Sequence, residues 1–322
     1  MRLTNRDGLV QHVQAQFERH GLFMPVRVVI GVSGGLDSMM LAETCLRAGC
    51  EVQVAHVNYG LRGAESDEDE AFVMEWCKAR HIPFHLKRVQ LVDGESGIQA
   101  AARQERYAFF ETVRATWSRA AAEPVYIAAG HQANDQAETV LLNLLRGADP
   151  LGLAAMPFWD RARHVVRPLI EIPRSELQAQ ALAWEVSHRE DSSNAKSDYF
   201  RNRLRLEGLP LLESFRPGST EHLARWAARF QPIAAHVREE IEASRNKCWN
   251  AETSTLALEP WRNLPLRTEV LHALAKEFGI GARAVSEIEK LTERGVESGA
   301  KFECRTATII RERQTLRWTS VP

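Results

Sequence analysis

Apolar and polar positions follow two different periods along the first two thirds of the chain. Short β-branched runs of strand length are followed by polar loops and then by apolar residues that recur every three or four positions. The strand-like runs span residues 26–32, 52–57, 84–91, 125–129 and 164–169. Strands that alternate with helices form right-handed βαβ units and a parallel sheet with helices on both faces. The pattern therefore predicts a doubly wound, mostly parallel α/β sheet.

The last third of the chain has a different pattern. Pro217 and Gly218 interrupt the periodic segments, and we interpret residues 214–220 as a linker between domains spanning residues 1–214 and 215–322. Beyond the linker, a long helical pattern and two shorter ones precede three strand-like runs, at residues 301–304, 307–311 and 315–318. The second domain is therefore predicted to be smaller and mainly helical, with short strands at its end.

The most specific chemical signal lies between the first strand-like run and the helix that follows it. The six residues are Ser33, Gly34, Gly35, Leu36, Asp37 and Ser38. Glycines at such a turn let the backbone approach a ligand, and the free N–H groups of a helix start, together with hydroxyls, suit a phosphate. A carboxylate beside phosphates is repulsive unless a cation bridges them, so Asp37 predicts Mg²⁺.

Polar residues also follow two other predicted strands. His56 ends the second run, and the fourth is followed by a loop that contains His131, Asp135 and Glu138. Because the carboxyl ends of parallel strands meet at one edge of a sheet, we expect these residues near the Gly-Gly loop. A lone histidine has both a structural and a ligand-binding interpretation, and the sequence leaves both open for His56.

Arginines form two further groups. Arg103 and Arg106 are three positions apart on a predicted helix, either as solvated charges or as a two-armed phosphate clamp. Arg201, Arg203 and Arg205 stand beside two aromatic residues, either as one helix face or as a patch that contacts phosphates.

Composition narrows the class of protein. The 322 residues are 44% hydrophobic and 26% charged, as in globular proteins of about two domains. No apolar run approaches the ~18 residues of a membrane span and no secretion signal is recognisable, so we expect a cytoplasmic location without membrane association. Five cysteines without a C-x-x-C pair indicate a reducing compartment and disfavour a zinc or iron–sulfur site. With a net charge of −1, any polynucleotide contact must use local basic patches.

The hexapeptide at residues 33–38 resembles the SGGxDS loop of the PP-loop ATP pyrophosphatases. Those enzymes split ATP between the α and β phosphates and adenylate an oxygen, which a nucleophile then displaces. No Gly-Lys-Ser/Thr follows the glycines, so transfer of the γ-phosphate is disfavoured. Taken in order, several blocks between residues 25 and 210 resemble the tRNA(Ile)-lysidine synthetase family within that group. The blocks are residues 33–38, 56–62, 103–107, 130–139, 190–194 and 199–205.

The resemblance implies a reaction, a ligand set and roles for residues. ATP would adenylate O2 of the wobble cytidine in the CAU-anticodon tRNA(Ile), and the ε-amine of L-lysine would then displace AMP from C2. The second domain would bind tRNA, and a homodimer is left open. We assign catalysis to Asp37, Arg106, His131 and Asp135, and Mg²⁺ binding to Asp37 and Asp135. Nucleotide binding is assigned to Ser33, Gly34, Gly35, Leu36, Asp37, Ser38, His56 and Arg106. Contacts to lysine or tRNA are assigned to Glu138, Arg201, Arg203 and Arg205.

Other functions stay open at this point. A tRNA thiolase would need a sulfur carrier, usually paired cysteines, and an NAD synthetase-like amide ligase would need neither the second domain nor the arginine block. A non-catalytic nucleotide-binding module would be expected to have lost Asp37 or His131, and both are present. Where the family pattern often has two adjacent acids, this chain has Asn134 and Asp135, which leaves the number of metal ions open. The general base is open among Asp135, Glu138 and His131.

Overall fold

The structure is a computed structural model that describes residues 7–60, 63–89, 98–189 and 200–321. The chain divides into two compact units, Met1–Phe230 and Gln231–Pro322. This division lies inside one long helix, Ser219–Asn246, and not at the 214/215 boundary expected from the sequence. Below we call the two parts the N-terminal unit and the C-terminal unit.

A six-stranded sheet forms the centre of the N-terminal unit. Its strands are β1 (Arg27–Gly31), β2 (Glu51–Asn58), β3 (Phe84–Arg88), β4 (Val125–Ala128), β5 (Trp159–Asp160) and β6 (Val165–Val166). They are arranged in the order β3-β2-β1-β4-β6-β5, and all neighbours are parallel except β5 and β6. The predicted mostly parallel sheet is therefore confirmed. The antiparallel β5 was not predicted, because a two-residue strand carries no recognisable period.

Helices cover both faces of this sheet, as a doubly wound fold requires. The helices of the N-terminal unit are α1 (Gly8–Arg19), α2 (Leu36–Arg47), α3 (Ala64–Ala79), α4 (Ile98–Ala121), α5 (Ala133–Leu145), α6 (Arg174–Ala183), α7 (Phe200–Arg203) and α8 (Leu209–Phe215), and α9 (Ser219–Asn246) begins there. Along β1, Val28 and Ile30 join the core that includes α1, α2 and α6, whereas Val29 packs into a second core with Phe110 of α4. Side chains alternate across a strand, so β1 is buried on both faces.

The strand order reverses between β1 and β4, which are parallel neighbours. Open α/β sheets bind ligands in the crevice outside the carboxyl ends of the strands at such a point. The chain leaves β1 into the loop that contains Ser33–Ser38, and it leaves β4 into a loop that begins near Gly130. A Cβ on Gly130 would lie 3.4 Å from the carbonyl oxygen of Asp37, so the two loops are in close contact.

The C-terminal unit contains an antiparallel sheet and short helices. Its strands are β7 (Trp249–Asn250), β8 (Thr255–Ala257), β9 (Lys301–Glu303), β10 (Ala307–Arg311) and β11 (Thr315–Ser320), in the order β7-β8-β11-β10-β9. Its remaining helices are α10 (Leu258–Arg262), α11 (Arg267–Glu277) and α12 (Val285–Lys290). Trp261 and Trp318 are buried, which makes them core residues. Across both units, the described part of the chain contains no helix with the length and apolarity that a membrane span requires.

Candidate functional site

The loop after β1 is held together by short local contacts. The Ser38 hydroxyl accepts a hydrogen bond from the Ser33 N–H over 3.2 Å and donates to the Gly35 carbonyl oxygen over 2.9 Å. Gly34 has φ +93°, a conformation that residues with a Cβ rarely adopt. Gly35 precedes the first turn of α2 and provides no side-chain cap. An uncapped helix start leaves backbone N–H groups available to an anion.

A distant segment fixes the same loop from outside. The N–H of Arg189 donates to the Gly34 carbonyl oxygen over 2.9 Å, and the Arg189 backbone pairs with Gly35 as an isolated bridge. The Arg189 guanidinium binds the carboxylates of Glu68, at 2.7 Å, and Asp69, at 2.5 Å, in α3. Arg189 therefore links the loop after β1 to α3. Sequence reasoning missed this residue, since nothing local marks an arginine that acts across more than a hundred positions.

His56 forms a hydrogen bond to the backbone directly before this loop. It is 3% exposed, and its Nδ1 lies 2.7 Å from the carbonyl oxygen of Val32, the residue directly before the loop. This distance identifies Nδ1 as a hydrogen-bond donor, and burial lowers the pKa of His56, so the ring is neutral. Of the two interpretations left open by the sequence, these contacts favour the structural one.

Asp37 carries an unsatisfied carboxylate oxygen. Its Oδ2 lies 3.4 Å from Nη1 of Arg174, at the start of α6, while its Oδ1 is buried without a hydrogen-bond partner among the described residues. Burial raises the pKa of Asp37, the charge of Arg174 lowers it, and the charge of Asp135 raises it again. Because the charge of Asp135 acts on Asp37 and the loops touch at Gly130, the two acids belong to one crevice.

The loop after β4 is built from side chains that cap helices. The Gln132 side-chain oxygen accepts from the Asn134 N–H over 2.7 Å, and Asp135 Oδ2 accepts from the Gln132 N–H over 3.0 Å, which together form a capping box at the start of α5. The Asn134 side-chain oxygen accepts from the N–H of Arg174 over 3.1 Å and so caps α6. Asn134 thus has a structural role, at the position where the family pattern often has an acid.

One arginine joins the two acids of α5. Arg201 donates from Nε to Glu138 Oε2 over 2.8 Å and from Nη2 to Asp135 Oδ1 over 3.2 Å. The Glu138 side chain is 5% exposed, and burial raises the pKa of both carboxyls, against the effect of Arg201. The acid pair, Asp135 and Glu138, is therefore a buried anionic site that accommodates one cationic group.

His131 lies in the same loop in a strongly basic environment. Burial lowers its pKa to about 3, and the charges of Arg167, Arg103, Arg201 and Arg106 act in the same direction. Its Nδ1 is buried and lacks a hydrogen-bond partner in the described part of the chain. The imidazole is therefore neutral at pH 7. A base with such a low pKa is poorly matched to proton abstraction near neutral pH.

The arginine block does not form a single outward-facing patch. Arg201 binds the acid pair, and the charge of Arg205 lowers the pKa of Asp37, Asp135 and Glu138, so both belong to the crevice. The Arg203 side chain is 63% exposed and lies 3.5 Å from Glu207. A π-helical turn at Leu204–Gly208 interrupts the helical register just after Arg203. The predicted blocks at 61–62, 190–194 and Tyr199 lie outside the described residues.

Sequence reasoning also missed two arginines at the carboxyl edge of the sheet. Arg174 forms an ion pair with Asp37. Arg167 directly follows β6, and its charge lowers the pKa of His131. One signal was available for Arg167, which directly follows the apolar pair Val165–Val166. Its meaning depended on knowing that β6 lies beside β4.

Comparisons with known proteins agree with this geometry. A family model described as a PP-loop domain matches residues 9–212. A tRNA(Ile)-lysidine synthase of Porphyromonas gingivalis is 33% identical over 293 residues, covering 90% of this chain and 62% of that protein. The chain therefore spans less than two thirds of the length of this relative. A tRNA(Ile)-lysidine synthase of Parabacteroides distasonis is 31% identical over 327 aligned positions, covering 97% of this chain and 70% of that protein.

A solved structure supports the fold. The U34-tRNA thiolase NcsA of Methanococcus maripaludis superposes with a TM-score of 0.54 at 20% identity, over 71% of this chain and 78% of that one. At this identity the likeness concerns architecture alone. The family model and the P. distasonis relative, by contrast, match most of the chain in sequence. The chain belongs to the PP-loop family and, within it, to the tRNA(Ile)-lysidine synthases.

Proposed function

We propose that the chain ligates L-lysine to C2 of the wobble cytidine in tRNA(Ile) with a CAU anticodon, at the expense of ATP. The relatives carry this activity in their names, and the crevice offers the chemistry that it needs. One observation carries the proposal: Asp37 of the glycine loop and the acid pair face one crevice at the carboxyl ends of β1 and β4. This arrangement supports a phosphate site beside an ammonium site.

The glycine loop receives the phosphates of ATP. Its backbone N–H groups and the Ser33 hydroxyl surround the anion, and Arg106 neutralises charge on the α-phosphate. Asp37 would hold Mg²⁺, since its unpartnered Oδ1 fits a cation, and Asp135 either holds the ion with it or accepts the proton from the amine. The described residues contain no group of three or more metal-ligating side chains, so phosphate oxygens would complete the shell. When bound, Mg²⁺ offsets the negative charge of the phosphates.

The reaction proceeds in two displacements. O2 of the cytidine attacks the α-phosphorus of ATP, the bond to the bridging oxygen breaks, and pyrophosphate leaves. The ε-amine of lysine then attacks C2, and AMP departs with the former O2. One proton must leave the amine during the second step.

The acid pair provides the binding site and the base for this step. A lysine ammonium has a pKa of about 10.4, so the neutral amine at pH 7 is disfavoured by roughly 4.6 kcal/mol. We assign Glu138, the more buried acid, to positioning the ammonium, and Asp135 to accepting the proton. Burial raises the pKa of Asp135 and makes it a better base, whereas the pKa of about 3 argues against His131. Before lysine enters, Arg201 must release both carboxylates.

Binding of tRNA is assigned to Arg203 and the C-terminal unit. Arg203 is exposed, whereas Arg201 and Arg205 are half-buried. Arg203→Ala should weaken tRNA binding and reduce the slope of log K against log salt by about one, since one phosphate contact is lost. Filter binding at several salt concentrations measures this slope, and Arg119→Ala is the control.

A cytoplasmic location and a homodimer are further parts of the proposal, and sedimentation tests the latter.

Transfer of labelled lysine tests the function directly. The full chain is incubated with ¹⁴C-lysine, ATP and the CAU tRNA(Ile), and with the same tRNA carrying uridine at the wobble position as the control. Label should enter only the cytidine-containing tRNA, with one AMP released for each lysine. Label in both tRNAs, or none with either, would contradict the proposal. A thiolase is disfavoured because four of the five cysteines are buried and Cys304 alone is partly exposed, which leaves no pair of accessible thiols.

A further inference from the structure

Arg167 is a buried charge that the reaction above does not use. It directly follows β6 and is only 6% exposed. Its Nη1 donates to the Pro157 carbonyl oxygen over 2.8 Å, but its Nε is buried and has no partner within the described ranges. Arginines are rarely buried unless paired, because a desolvated charge without a counter-ion is costly. The buried guanidinium of Arg167 therefore indicates a binding site for an anion.

His131 contributes a second unpartnered group to the same region. Its Nδ1 is buried without a described partner, and after burial Arg167 and Arg103 exert the largest effects on its pKa. The Ala129 N–H donates to the Val166 carbonyl oxygen over 2.9 Å, so the chain at Arg167 runs beside the loop that carries His131. Two buried nitrogens from different elements thus lack partners in one neighbourhood.

Positive charge dominates this neighbourhood. On α4, the guanidinium carbons of Arg103 and Arg106 lie 5.2 and 5.9 Å from the centre of the Tyr107 ring, and no described carboxylate pairs with either. Burial lowers the pKa of Arg167, and the charge of Asp160 raises it. Its carboxylate also accepts from the Arg163 N–H over 3.3 Å. Three arginines against one carboxylate form an incomplete site for an oxyanion.

We propose that Arg167, Arg103 and His131 form an oxyanion pocket, and that its occupant is the α-carboxylate of the amino-acid substrate. This inference rests on the proposed function. Lysine carries its ε-ammonium at one end and its α-carboxylate at the other, and the acid pair lies near the basic cluster of Arg167, Arg103 and Arg106. Arg201 connects the two regions, because it binds Asp135 and Glu138 while its charge acts on His131. A phosphate is the other source of the same chemistry.

Comparing lysine with cadaverine (1,5-diaminopentane) tests the pocket, because cadaverine keeps the amine and lacks the carboxylate. Arg103→Gln should lower kcat/KM for lysine at least about tenfold and leave that for cadaverine within about twofold. Arg167→Gln should act in the same way, and Arg167→Lys should restore part of the preference. Arg103 is exposed, so its variant tests the proposal even if the buried Arg167 variant fails to fold.

Arg119→Gln is the matched control on the same helix. Its guanidinium donates to the Ala115 carbonyl oxygen, and the lysine-to-cadaverine ratio should stay at the wild-type value. Equal losses for both amines in Arg103→Gln would overturn the proposal. An unchanged ratio with weaker inhibition by pyrophosphate would assign the pocket to a phosphate and overturn the carboxylate assignment.

Failure of the inference is distinct from failure of the proposed function. If the wild-type chain transfers no lysine to tRNA, the function fails, and calorimetric titration with lysine and cadaverine still tests the pocket. Wild type should then bind lysine at least about tenfold more tightly than cadaverine, and Arg103→Gln should remove most of that difference. Equal affinities in the wild type would overturn the pocket.

Discussion

Two loops leave adjacent strands of the same sheet, yet different parts of the chain hold them in place. The loop after β1 is held through its backbone: the Ser38 hydroxyl contacts it from within, and the Arg189 N–H donates to the Gly34 carbonyl oxygen from outside. The loop after β4 is fixed by side chains, because Gln132 and Asp135 cap α5 and Asn134 caps α6. Both begin at the carboxyl edge, and they meet at Gly130.

This difference separates two tasks that one crevice must combine. A loop of glycines and backbone groups offers N–H dipoles to a phosphate, and its one charged side chain, Asp37, would bind a cation instead. A loop of buried acids offers charges whose pKa depends on burial and on arginines elsewhere in the chain. The first loop is therefore expected to control nucleotide affinity, and the second to control the proton and the amine.

Asp135→Asn should have the largest effect and gives the sharpest test of this division. Asparagine keeps an acceptor for the Gln132 N–H, so the fold should survive, but it cannot accept the proton. Loss of a general base lowers kcat by about 10²–10⁴-fold, and ATP affinity should change only a few fold. Transfer of labelled lysine and titration with ATP measure the two quantities. Lost ATP affinity would instead make Asp135 chiefly a metal ligand, and the separation of tasks would fail.

His131, in the loop after β4, should make the stability of the protein depend on pH. His131 has a pKa of about 3 in the folded chain, against a reference value of 6.5, so between these values the unfolded chain binds more protons. Stability is then fully present above pH 6.5 and is lost as the pH falls, by at most about 1.4 kcal/mol per pH unit. His131→Asn should make this loss less steep in urea unfolding at pH 4–7. An unchanged slope would show that neither burial nor the nearby arginines lower the pKa of His131 in the folded chain.

The sequence predicted the first loop better than the second for a physical reason. The strand β1, the glycines and the start of α2 are neighbours in the chain, so their spacing contains the geometry. Arg201 is 63 positions from Glu138, and its contact depends on how later segments pack. The composition of the arginine block predicted phosphate contacts, but the structure places Arg201 on carboxylates.

His56 shows a second limit of sequence reasoning. Its position at the end of β2 was predictable, and its proximity to the glycine loop follows from the parallel pairing of β1 with β2. Which way the ring points was not predictable, because that depends on a single carbonyl oxygen, that of Val32. A histidine beside a ligand-binding loop can thus have a structural role, as a hydrogen-bond donor to the backbone.

Gly34 and Gly35 offer a matched pair within the first loop. Gly34 has φ +93°, so Gly34→Ala should lower the free energy of unfolding by about 1–2 kcal/mol. Gly35 has φ −75°, and a Cβ there would meet no described atom closer than 3.7 Å, so Gly35→Ala should leave stability nearly unchanged. Urea unfolding compares the two, and ATP titration asks whether Gly35→Ala weakens nucleotide binding. Equal destabilisation would mean that backbone conformation does not define this loop.

Ser38→Ala should have a smaller effect on stability than Gly34→Ala and tests the one hydroxyl that holds the first loop from within. The change removes an acceptor for the Ser33 N–H and a donor to the Gly35 carbonyl oxygen, and each hydrogen bond contributes about 0.5–1.5 kcal/mol. Water can replace part of both, because the site is partly exposed, so a net loss near 1 kcal/mol is expected. Ser33→Ala is the control, since the Ser33 hydroxyl makes a single contact of 3.3 Å, with Ser38. If Ser33→Ala were the more destabilising change, the loop would depend on its exposed hydroxyl and the contrast with the side-chain-built loop would disappear.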